Sequence, residues 1–224
     1  MSESFPRSIR SGLERGGITY YFTLNKYNKA LILKRLILAS SSAYRSALLA
    51  RLQVPFEVCA PDVDERPLGG ESPRATAVRL ARAKAESTAR RFADAWVIGS
   101  DQVADHAGTA VGKPGTLAAA RAQLRSMRGQ VVVFHTALCV VRPGGAEPRE
   151  SVVDTQVAFR NLDDAEIERY LEREPALDCA GSAKSEGLGI ALLDRLHGDD
   201  PTALIGLPLI ALAAILRAEG FELP

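Results

Sequence analysis

A chain of 224 residues, 46% of them hydrophobic, has the material for a sizeable core, as one large domain or two small ones. Its 28 basic and 27 acidic side chains leave a net charge of +1, which excludes a global field for nucleic acid or an anionic membrane surface. No apolar run is long enough to span a bilayer. The three cysteines, Cys59, Cys139 and Cys179, show no Cys-x-x-Cys spacing and sit in apolar or strand-like contexts. They read as buried thiols of a reducing compartment.

Residues 1–35 differ in character from the rest of the chain. A polar, Gly-containing opening gives way to Ile18–Leu24, which has strand propensity. Glu3, Glu14 and the aromatic cluster argue against a transit peptide, and the stretch reads as an extension outside the domain. The domain proper, residues 36–224, opens on the buried strand Leu36–Ala39. Ser40-Ser41-Ser42-Ala43-Tyr44-Arg45 leads into a helix through Leu48, Leu49 and Leu52. A helix N-terminus with hydroxyls and an arginine is a ready anion site; one serine as a plain helix cap is compatible with it. Val54–Ala60 reads as a second strand, followed by Asp62-Val63-Asp64-Glu65. That cluster suits either a hard cation or a solvated loop before Pro67 and Gly69-Gly70.

Ser72 and Pro73 cap and open a long helix with Ala77, Leu80, Ala81 and Ala85 on one stripe. Lys84 lies on that same inward stripe, where an ammonium must either snorkel or meet an anion. Trp96–Ile98 reads as a short buried strand, after which Gly99 and Ser100 loosen the backbone and place Asp101 at its end. Ligand crevices of α/β proteins open at such positions. Gly112-Lys113-Pro114 sets a lysine in a rigid turn before the next helix. Asp101 with Lys113 would serve a magnesium-dependent reaction on phosphates, or both are solvated turn residues.

Thr116 caps a helix bearing Leu117, Ala120, Leu124 and Met127, and Gly129 ends it. Val131–Val141 is a long strand in which His135, with no acid or cysteine nearby in sequence, reads as a packing residue. Val153, Thr155, Val157 and Phe159 alternate as a half-exposed strand. Asp163 and Glu166 have capping-box spacing ahead of Ile167, Tyr170 and Leu171. Cys179–Gly189 is Gly/Ser-rich without matching the phosphate-binding Gly-x-x-x-x-Gly-Lys-Ser/Thr loop; its glycines would admit a ligand against the backbone, and Glu186 could read a base edge. Ile190–Leu193 reads as a strand, Asp199-Asp200-Pro201 as a turn, and Gly206-Leu207-Pro208 as the start of a last helix.

Taken together and in order, Ser40 to Arg45, Asp62 to Glu65, Leu80 to Ala85, Gly99-Ser100-Asp101-Gln102, Gly112-Lys113-Pro114 and Gly206-Leu207-Pro208-Leu209 resemble the Maf family of nucleotide pyrophosphatases, over about residues 36–220. Gly99 to Gln102 and Gly181 to Gly187 look like the branch acting on 7-methyl-GTP; the branch acting on dTTP and UTP has threonine after the aspartate. The resemblance implies an elongated α/β fold, a mixed β-sheet flanked by helices, with two lobes and a central cleft. It implies hydrolysis of a nucleoside triphosphate to monophosphate and pyrophosphate, with a divalent cation (Mg2+ or Mn2+), in the cytoplasm and often as a homodimer. It gives Asp101 the role of proton acceptor, Ser40, Arg45, Lys84 and Lys113 the phosphates, Glu65 and Asp101 the metal, and Tyr44, Gln102 and Glu186 the base. The chain departs from the pattern in having Ala43 where proline is usual, Tyr44 where the branch has tryptophan, Ala183 for an aromatic and Ala137 for a glycine. Competing expectations are the same chemistry on UTP or dTTP, and a non-catalytic nucleotide-binding regulator of cell division.

Overall fold

The computed structural model describes residues 12–15, 18–21, 34–66 and 68–224. Two four-residue strands, β1 (Gly12–Arg15) and β2 (Ile18–Tyr21), pair antiparallel with each other. Most of the predicted extension falls outside the described residues, as does the end of its expected strand beyond Tyr21. Lys34 and Arg35, at the end of the expected extension, are tied to residues that follow it. The Lys34 ammonium bonds the Glu219 and Gly220 carbonyls at the far end of the chain, and Arg35 forks onto Glu57.

The domain then runs β3 (Leu36–Ala39), α1 (Ala43–Ala50), β4 (Glu57–Cys59), α2 (Pro73–Ala89), β5 (Trp96–His106), β6 (Thr109–Val111), α3 (Leu117–Met127), β7 (Val131–Val141), β8 (Arg149–Phe159), α4 (Asp164–Arg173), β9 (Leu193–His197) and α5 (Leu209–Ala218). One mixed sheet takes the order β4-β3-β5-β7-β8-β9, with β6 also on β5. β3 is parallel to both β4 and β5; β5, β7, β8 and β9 pair antiparallel in turn.

Helix α2 covers one face, through Ala77, Ala81 and Ala85 against Ala137 and Cys139. The small residues bring the helix very close. A Cβ on Gly99 of β5 would lie 2.2 Å from the Ala81 carbonyl oxygen and 2.7 Å from the Ala85 nitrogen. Gly99 is therefore a seat for α2 and not a loosened turn, and β5 continues through it for 11 residues. The opposite face carries two separate cores. One packs α1 and α5 through Leu48, Leu49, Leu212 and Leu216 onto Leu36, Leu38, Ile98 and Val140. The other packs α3 and α4 through Leu124, Met127, Ile167 and Tyr170 onto Val132, Phe134, Val157 and Phe159. Polar Ser100, Gln102 and Thr136 lie on that face between them, as strand alternation requires. The two cores are the two lobes of the expected fold.

Several local readings change. The strand expected over Val54–Ala60 is confined to Glu57–Cys59. Residues Leu188–Leu192 form a 3-10 turn, so the expected strand begins only at Leu193, with Ile190 49% exposed. The glycines of the Gly/Ser-rich loop let it pack against the protein: a Cβ on Gly187 would meet the carboxylate of Glu174, at the end of α4, at 2.3 Å, and one on Gly189 the loop's own Lys184 backbone at 2.5 Å. Asp200 does more than turn the chain. It is buried, accepts from Thr202 and from the Ile210 amide at 2.6 Å, and so closes the N-terminus of α5. Of the cysteines only Cys139 is buried; Cys59 and Cys179 are half-buried, and all three are free thiols.

Candidate active site

The cleft follows from the sheet's registers. β3 pairs with β5 from Trp96 to Gly99, and β6 pairs with the same edge from Ala104 to His106. Between them, Ser100–Val103 has no strand partner on that edge among the described residues. The gap lies where parallel β3 ends and the Ser40–Ser42 loop turns into α1, the usual place for a crevice in such a sheet. Asp101 is thus not at the end of its own strand. It is mid-strand, uncovered because its neighbour stops. A cavity of about 640 Å³ opens there, lined by Ser40, Tyr44, Arg45, Glu65, Lys84, Asp101, Gln102, Lys113 and Glu186, every site residue expected from the sequence.

Asp101 is 7% exposed and faces α2. Lys84, 5% exposed, donates to Asp101 Oδ1 at 2.5 Å and pairs with Glu65 Oε1 at 2.9 Å. The lysine on the inward stripe therefore meets anions and does not snorkel; one ammonium bridges two carboxylates from separate segments. Burial pushes the Asp101 carboxyl above its ordinary value, and the positive charges of Lys84 and Arg45 only partly oppose it. Such a carboxylate is a stronger base than one in water.

Arg45 sits in the first turn of α1, whose N-cap is Ser42. Its Nε donates to the Gly206 carbonyl at 2.8 Å, which also accepts from the Ser100 hydroxyl at 3.0 Å. No carboxylate lies within 4.0 Å of it among the described residues, so its remaining N–H donors suit an incoming anion. Ser40 is buried, and its hydroxyl accepts from the Ser42 amide at 3.1 Å. Lys113 is exposed on the loop before Thr116, the N-cap of α3.

The three positions expected to read the base line the same cleft. Gln102 Nε2 donates towards Thr136 Oγ1 and the Ala203 and Leu204 carbonyls at 2.9–3.0 Å. Tyr44 donates from its hydroxyl to Asp178 Oδ2 at 3.2 Å, with the Lys184 ammonium 5.6 Å from its ring centroid. Glu186 is exposed and its carboxylate accepts from the Ser185 hydroxyl at 3.5 Å. Sequence reasoning missed two contributors. Asp178, in the unremarkable run Leu177-Asp178-Cys179, lines the cleft. Gln123 holds two cleft loops together, donating to the Gly112 carbonyl at 3.0 Å and accepting from Ser182 at 2.6 Å. Neither carries a motif.

Away from the cleft, His135 is not the isolated packing residue its sequence neighbours suggest. Its Nδ1 lies 2.8 Å from Asp154 and its Nε2 3.3 Å from Asp105. The β7–β8 register puts Asp154 directly opposite, and Asp105 is diagonal on β5. Both partners come from strands that sequence distance could not pair.

Among the described residues no three His, Cys, Asp or Glu side chains form a ready-made cation site. Glu65 and Asp101, the two carboxylates that share Lys84, would supply two hard oxygen donors to a cation. That donor set fits Mg2+ or Mn2+, which characteristically binds one or two carboxylates and leaves the rest of its shell to water and substrate phosphate. No helix among the described residues is long and apolar enough to cross a membrane.

The sequence profile of a family described as Maf-like protein matches residues 35–219. A 7-methyl-GTP pyrophosphatase of Aromatoleum aromaticum is 60% identical over 190 residues, covering 85% of this chain and 98% of the relative. One from Xanthomonas axonopodis pv. citri is 59% identical over 191 residues, covering 85% and 99%. One from Cupriavidus metallidurans is 58% identical over 186 residues, covering 83% and 94%.

Proposed function

The chain belongs to the Maf-like family, and from that premise we propose that it hydrolyses 7-methyl-GTP to 7-methyl-GMP and diphosphate, as a hydrolase acting on a phosphorus-containing anhydride. The observation that carries the chemistry is the buried Asp101–Lys84 pair, at 2.5 Å, facing a cleft that Arg45 and Lys113 also line.

Asp101 orients the attacking water and takes its proton. Before substrate arrives, Lys84 occupies that carboxylate and Glu65. A triphosphate offers Lys84 a stronger anionic partner, and as Lys84 turns to it, Asp101 is released to act as base. Arg45, Lys113 and the Ser40 hydroxyl hold the phosphate chain and stabilise the charge that builds on it in the transition state. The cation proposed for this site would be held by Glu65 and Asp101; when bound, it lowers the pKa of water and neutralises phosphate charge.

Base recognition rests on three side chains. With its Nε2 committed to the protein, Gln102 offers the base its Oε1 acceptor, which suits the N–H donors of guanine. Glu186 is a second acceptor for the same edge, and the Tyr44 ring attracts the positive charge of a methylated base. The test is a panel of 7-methyl-GTP, GTP, UTP and dTTP with Mg2+ or Mn2+, scoring pyrophosphate against orthophosphate. Pyrophosphate released fastest from 7-methyl-GTP is the expected result; orthophosphate alone, or preference for UTP or dTTP, overturns the reading.

A further inference from the structure

Tyr44, Asp178 and Lys184 line or border the cleft but take no part in the Asp101–Lys84–Glu65 cluster. They form a cluster of their own across it. Tyr44 belongs to α1; Asp178 and Lys184 lie on the loops between α4 and β9. Asp178 accepts from the Tyr44 hydroxyl at 3.2 Å through one oxygen and pairs with the Lys184 ammonium at 3.2 Å through the other. The same ammonium is 5.6 Å from the Tyr44 ring centroid. A ring, a carboxylate fixed beside it and a cation held by both is the arrangement that a positively charged heteroaromatic base would require, with Lys184 in the position of that charge.

Resting on the function proposed above, we infer that Asp178 is a specificity-determining residue, the carboxylate that offsets the positive charge of the methylated base, and that Lys184 is the internal cation the base displaces. Charge balance supplies the discrimination. A 7-methylguanine replaces one cation by another against Asp178 and Tyr44. A neutral guanine that pushed Lys184 aside would leave Asp178 without a counter-charge, so ordinary GTP gains less from the same seat. Glu186 keeps the separate task of accepting the base's N–H donors, since its carboxylate is not tied to the ring. Asp178 is 58% exposed, so water and salt screen the effect and hold it to a modest factor.

The experiment compares kcat/KM for 7-methyl-GTP and for GTP, by pyrophosphate release, in the parent protein and in Asp178→Asn, Lys184→Met and Glu186→Gln, at low and high salt. Asp178→Asn should lower the ratio of the two constants by about threefold to tenfold, with the difference shrinking at high salt. Lys184→Met, which removes the competitor, should raise the ratio. An unchanged ratio in Asp178→Asn, with the parent still preferring 7-methyl-GTP, overturns this inference alone. A ratio that falls only in Glu186→Gln does the same, since the carboxylate role then belongs to Glu186. A parent protein with no preference for 7-methyl-GTP overturns the proposed function and this inference with it.

Discussion

Asp101 is held between opposing influences. Burial favours its neutral form, while Lys84 and Arg45 favour the carboxylate, and burial prevails, so the group is held above its ordinary value. A base must be ionised, so turnover should fall as pH drops through that raised value. The acid limb of kcat/KM in the free enzyme is therefore expected above the ordinary carboxylate value of 3.8. A limb at or below it, in a pH–rate profile, would assign the base to another group. Asp101→Asn keeps the shape and removes the base. It should lower kcat by about 10²- to 10⁴-fold, with the far-ultraviolet circular dichroism of the parent. Pyrophosphate release near the parent rate would refute the assignment.

At the scale of elements, the site depends on how closely α2 lies on β5. Lys84 reaches Asp101 because Ala81 and Ala85 rest directly on Gly99 with no side chain between them. The atoms a new Cβ would meet are backbone atoms of the helix, which cannot swing away as a side-chain tip can. Gly99→Ala should force the helix outwards, destabilise the fold by about 1–3 kcal/mol and draw Lys84 off Asp101. Thermal unfolding and steady-state kinetics check the two halves. A variant with parent stability and parent kcat would show that the close approach is not needed. The adjoining element, β3, contributes by stopping at Ala39, opposite Gly99, which leaves Ser100 and Asp101 uncovered.

Across the whole molecule, the cleft draws on distant parts of the chain. Arg45 comes from the α1–α5 core and Glu186 from the loop beside the α3–α4 core, with Asp101 on the strand between. A triphosphate bound there would contact both lobes, and if it binds only the folded state it should stabilise the fold as a unit. In Asp101→Asn, which spares the substrate from hydrolysis, 7-methyl-GTP at 100 times its Kd should add about 2.7 kcal/mol. For a chain of this size that raises Tm by roughly 5–10 °C. A calorimetric scan showing no rise, or a rise with the transition split in two, would argue against a ligand shared by both lobes.

What the chain determined by itself was local chemistry. Ser42, Ser72 and Thr116 cap their helices, Asp163 and Glu166 form their capping box, and Lys84 lies on the buried stripe of α2, because these depend on spacings of three or four residues. The ordered motifs likewise pointed to the site residues that share one cleft. Only the tertiary structure decided what each was next to. It showed that Gly99 seats a helix and is not a turn, that Asp101 is uncovered because a neighbouring strand ends, that His135 lies between two acids, and that Asp178 stands beside Tyr44. Strand register and the close approach of elements bring together residues as far apart as Tyr44 and Asp178, 134 positions along the chain. No periodicity along a single segment encodes a pairing of that kind.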